Sequence, residues 1–93
     1  MLKRWKNWIA ERRARQAALQ AAIDQALAEF RRTRDIAPMG AHVLRLDDDA
    51  AIVRVMYLTN HIPPDRAWFA VSPAGVSELS FDDVAHLETT AWR

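Results

Sequence analysis

The chain contains no cysteine, which excludes a disulfide framework, a thiolate-held metal and a thiol nucleophile. Glycine is almost as scarce. Gly40 and Gly75 are the only two, and neither belongs to a loop of the kind that cradles phosphate. No proline precedes Pro38, so nothing ahead of it breaks a helix. Apolar runs are short as well, none approaching the roughly 18 residues of a membrane span. The opening Met1-Leu2-Lys3-Arg4-Trp5-Lys6 is basic, but no apolar stretch follows it before Glu11-Arg12-Arg13. It therefore does not read as a secretory leader, and the cytoplasm is the expected location.

What is present is a chain of 93 residues, 51% apolar and 27% charged, the balance of a soluble globular protein. That length supports one small core with little area to spare, so self-association would add stability. The net charge of +1 conceals a division. Residues 1–36 hold nine cations and four carboxylates, whereas residues 37–93 hold four cations and eight carboxylates. A basic segment, 1–36, thus precedes an acidic body, 37–93, within one structural domain.

Apolar residues in the first segment fall at Leu2, Trp5, Ile9, Leu19, Ile23, Leu27 and Phe30, the mixed three-and-four spacing of one helical face. Arg12 and Gln16 split the face into two patches. The second, from Leu19 to Phe30, is aliphatic and suited to packing on a sheet. The first, Leu2, Trp5, Trp8 and Ile9, is ringed by cations. On roughly the opposite side Ala10, Ala14, Ala17, Ala21 and Ala28 recur at heptad-like spacing. Arg31-Arg32-Thr33-Arg34 closes the helix, placing cations at the negative end of its dipole. A straight helix over residues 1–36 would be about 50 Å long, far more than a body of about 12 Å radius of gyration can cover. It must overhang that body, or break and fold back.

After Gly40 the period changes from 3.6 to 2. His42–Leu46 and Ala51–Leu58 read as strands joined by a tight Asp47-Asp48-Asp49 turn. Paired Pro63 and Pro64 mark a loop, after which Arg66–Val71 forms a third strand. Ser72-Pro73-Ala74-Gly75 is a turn, and Val76–Leu79 a short fourth strand. Ser80 with Asp83 approximates a capping box, predicting a helix from Phe81 to about Thr89. The expected fold is α+β in the order α-β-β-β-β-α: a long N-terminal helix, a four-stranded antiparallel meander and a short C-terminal helix. Both helices are expected on one face of the sheet. Alternation separates Trp68 from Phe69, so one joins the core and the other lies on the open face, with Tyr57 a candidate neighbour.

No catalytic constellation emerges. His42, His61 and His86 lack metal-ligand spacing. Asp47–Asp49 offers oxygen ligands but lacks the glycine and later glutamate of a calcium loop. Ser72, Ser77 and Ser80 have no activating histidine or glycine elbow, and Asp82 and Asp83 are explained by the dipole of the last helix. No cofactor, metal or small-molecule substrate is indicated.

The expectation is a non-enzymatic association module. Leu2, Trp5, Trp8, Ile9, Arg12 and Arg13 would bind a protein partner, a second copy (a dimer in the first instance) or a larger assembly, with Trp anchors and an Arg rim. A second reading sets Arg12, Arg13, Arg15, Arg31, Arg32 and Arg34 against nucleic-acid phosphates. A third lays the same helix on a membrane surface.

Overall fold

Helix α1 spans Leu2–Thr33 without a break, so the overhang predicted from its length is realised and the fold-back is not. Its alanine content favours this, and no residue inside it breaks the hydrogen-bond ladder. The computed structural model describes the backbone of residues 2–60 and 63–91 and the side chains of residues 6–60 and 63–88. His61 lies outside them. Strands β1 (Pro38–Leu46), β2 (Ala51–Tyr57), β3 (Asp65–Ser72) and β4 (Gly75–Leu79) precede helix α2 (Phe81–Ala91). They form one antiparallel sheet in the order β1-β2-β3-β4. The architecture is the α+β meander expected from the sequence.

Element ends shift for identifiable reasons. Strand β1 begins at Pro38 rather than His42, which is tolerated because β1 is an edge strand and proline opens it. Its register slips between Val43 and Arg45, a bulge that inserts Leu44. Val43 and Leu46 can therefore both pack against the core despite their odd spacing. The β3–β4 hairpin closes on Gly75, whose φ of +132° no residue with a Cβ adopts comfortably.

The principal core lies between α1 and one sheet face. Ala22, Ala26 and Phe30 meet Ala51, Val53, Val55, Ala67, Phe69 and Val71, all buried. Two alanines in the helix stripe let its backbone approach the sheet, and Phe30 fills the wider end beside Tyr57, their ring centroids 5.2 Å apart. Tyr57 is thus on the α1 face, not beside Trp68 as anticipated.

The expectation that both helices share one face is not met. Arg54 alternates with Val53 and Val55 and pairs across the ladder with Trp68, and both contact α2. The helices cover opposite faces. The reason is Glu88 of α2, only 4% exposed. Its carboxylate accepts hydrogen bonds from Arg54 at 3.0 and 3.3 Å, from Arg66 at 3.4 Å and from the Trp68 indole at 2.8 Å. Val84, one helical turn earlier, is fully buried, and Phe81 tilts over Trp68 with centroids 5.7 Å apart. A face carrying two arginines and a tryptophan cannot be an ordinary apolar core; it needs a buried anion, and α2 brings one. The connection is the single residue Ser80, whose backbone N–H and hydroxyl both donate to Asp83 at 2.9 and 3.0 Å. This fixes the start of α2.

Removing one partner of a buried ion pair leaves the other charge uncompensated. Glu88→Ala is expected to destabilise the protein by about 3 kcal/mol, read from the denaturant midpoint, with α2 amides losing hydrogen-exchange protection before those of β2 and β3. An unchanged midpoint would contradict the role assigned to Glu88.

Candidate docking surface

Strand β2 has seven residues and is about 24 Å long at 3.4 Å per residue. Helix α1 has 32 residues and is about 48 Å long. The sheet accommodates only the second half of it. From the N-terminus, Ala22 is the first buried residue among those whose side chains are described, and residues 10–18 are all exposed. The molecule measures 55 × 31 × 23 Å with a radius of gyration of 15.3 Å, against about 12 Å for a compact chain of this length.

The direction of the overhang is set at the other end of the helix. Arg34, just past Thr33, holds Glu78 of β4 through two bonds of 2.7 and 2.9 Å. Its guanidinium also stacks on Phe30 and Tyr57, 5.2 and 5.6 Å from their centroids. A bidentate, stacked arginine is a geometric clamp, which a lysine could not reproduce. The guanidinium holds the Glu78 carboxyl below its ordinary value of 4.5, the hydrogen bond being the main cause and partial burial opposing it.

Trp8 lies on the overhang and is 54% exposed. The guanidinium of Arg12 sits 5.5 Å from its ring centroid, a cation–π pair. Half-buried Ile9, with Arg13 and Gln16, lies beside them on the same stretch of the helix. The structure therefore brings together Trp8, Ile9, Arg12 and Arg13 as the sequence spacing predicts. Leu2 and Trp5 belong to the same helix, but their side chains lie outside the described residues. Trp8, Ile9 and Arg12 share the helix face that, further along, supplies Ala22, Ala26 and Phe30 to the core. The overhang thus continues the packing face of the core, and residues 10–18 along it are exposed.

The second proposed set is not brought together. Arg31 begins about 28 Å along the helix from Arg12. Arg32 is engaged by Glu29 and Arg34 by Glu78, so two of the three terminal cations serve the fold. Arg15 and Arg31 are exposed. His42 and His86 are exposed on separate elements, and among the described residues no group of three or more His, Asp or Glu is placed to hold a metal ion. No described helix is long and apolar enough to cross a membrane.

Sequence reasoning missed a further feature at the base of the overhang. Ala18, Ala21 and Gln25 of α1 face Asp47, Asp48 and Asp49 of the β1–β2 turn across a cleft of about 380 Å³. The turn is closed by the Asp47 N–H donating to the Ala50 carbonyl at 2.8 Å. Arg45 offsets one of the three carboxylates, lying 3.1 Å from Asp47. The three consecutive aspartates were legible, but their position beside the exit of the helix depends on strand register.

No known protein family, curated protein or solved structure matches this chain. The functional reading rests on its own residues.

Because the Glu78 carboxyl is depressed in the folded state, the clamp stabilises fully above about pH 4.5 and its contribution fades as pH falls below that value. The Glu78→Gln variant should be the less stable protein at neutral pH and should lose less of its stability on acidification, measured by urea unfolding. Parallel losses in both proteins would show that the clamp does not hold α1.

Proposed function

We propose that this protein is a non-catalytic association module that docks onto another protein through the overhanging half of α1. The observation that carries this reading is the exposed, Arg-stacked Trp8 on a helix segment that its own sheet is too short to cover. Tryptophan and arginine are among the side chains most enriched where protein interfaces concentrate their binding energy. The anchors are Trp8 and Ile9, joined by Leu2 and Trp5 in the sequence pattern; Arg12 and Arg13 form the rim.

Two features support a protein partner over nucleic acid for this helix. Arg12 covers the Trp8 ring rather than presenting itself to solvent alone, and Arg32 and Arg34 are held by carboxylates of the fold. A helix that reads or tracks nucleic acid keeps its cations and polar readers on the contact face. Here that face also carries Trp8 and Ile9.

The overhang lies outside the core, so the Trp5→Ala/Trp8→Ala double variant should unfold within about 0.5 kcal/mol of the natural chain. It should nevertheless lose assembly, seen as a lower mass by light scattering alone or with the cognate partner. A double variant that assembles as well as the natural chain would refute this reading.

A further inference from the structure

The association reading leaves the partner open; the inference that follows rests on that reading and names the partner. We infer that the overhang of α1 docks into the acidic cleft of a second copy of this chain, reciprocally, so that two molecules pair about a two-fold axis near the point where each helix leaves its sheet.

Charge is the first argument. Residues 2–18 hold six cations (Lys3, Arg4, Lys6, Arg12, Arg13 and Arg15) against the single carboxylate of Glu11. The cleft at the base of the same helix is walled by Asp47, Asp48 and Asp49, of which Arg45 offsets one. One molecule therefore carries both halves of a complementary pair, at adjacent places that its own rigid helix keeps apart. A straight helix cannot bend back into the cleft at its own root. A second copy can reach it.

Geometry closes the pair. An antiparallel crossing of two overhangs brings each basic segment alongside the root of the other, where Ala18 and Ala21 form the helical wall of the cleft. Because the same two surfaces meet twice, the arrangement is isologous and closes at two copies without leaving a surface for a third. The contact is charged, so it should weaken once the Debye length falls below about 10 Å, near 0.1 M salt.

The experiment uses two full-length charge-reversed chains, Asp47→Lys/Asp48→Lys/Asp49→Lys and Arg12→Glu/Arg13→Glu/Arg15→Glu, each checked for folding by circular dichroism. Sedimentation equilibrium at low and high salt reads the mass. The natural chain should reach twice its 10.6 kDa at low salt, and each variant alone should bind itself at least about tenfold more weakly. An equimolar mixture of the two variants should recover the dimer, because in the mixed pair both arm-to-cleft contacts are again of opposite sign. A natural chain that stays monomeric across the concentration range would overturn the inference, while the association reading would still stand or fall on the double-tryptophan variant. A dimer that persists in each variant alone, or is not recovered on mixing, would equally overturn it.

Discussion

Strands of seven to nine residues can support only about 24–30 Å of helix, whereas α1 is about 48 Å long, and from this mismatch most of the molecule's character follows. A helix segment that runs on past the sheet must draw its stability from propensity and from continuity with the packed half. Continuity matters because the costly nucleus is already formed on the sheet. Alanine at positions 10, 14, 17 and 18 provides the propensity. Neither contribution explains why the segment also carries Trp8 and Ile9 on the face that would point at a support. An unsupported helix selected only to be soluble would be polar all round. Apolar residues kept in line with the core stripe are the ones that the proposed association would bury.

The two helices anchor themselves by different physics. On the α1 face the packed centre of the sheet is apolar, and Ala22, Ala26 and Phe30 fill it by shape, with the Arg34–Glu78 pair at its edge. On the α2 face the attachment is largely polar: one buried carboxylate accepts from two arginines and an indole, with Val84 and Phe81 as apolar contacts. The Nε of Arg54 is buried without a hydrogen-bond partner, so even this network is not fully satisfied. Such an arrangement contributes less net stability than an apolar core of the same size and specifies geometry more strictly. It holds α2 in one place, away from the surface where α1 overhangs.

Much of this was legible in the sequence, and the parts that were not share a cause. Helix α1, the four strands, the turn at Gly75 and the Ser80–Asp83 cap follow from periodicity and turn chemistry, which are local. The Trp8–Ile9–Arg12–Arg13 cluster follows from helical spacing, also local. What escaped was everything that depends on cross-strand register or on which face an element chooses. Arg54 within an apolar strand was a visible anomaly, but pairing it with Trp68 and then with Glu88 requires the β2–β3 register and the path of α2. The single-face arrangement of helices failed for the same reason: the demand of Arg54, Arg66 and Trp68 for a buried anion appears only when they are assembled. Likewise Asp47–Asp49 read as an ordinary turn until the fold set it beside the root of the helix.

The central claim is that the N-terminal half of α1 is a helix awaiting support from another molecule, and hydrogen exchange along α1 as a function of protein concentration tests it most directly. In dilute solution, amides of residues 6–18 should exchange far faster than those of residues 22–33. As molecules associate, protection should rise in the first group and stay constant in the second. Amides of residues 6–18 that are as protected as the packed half at the lowest concentration, with no change on association, would show that the segment is already supported within one molecule and would contradict the account.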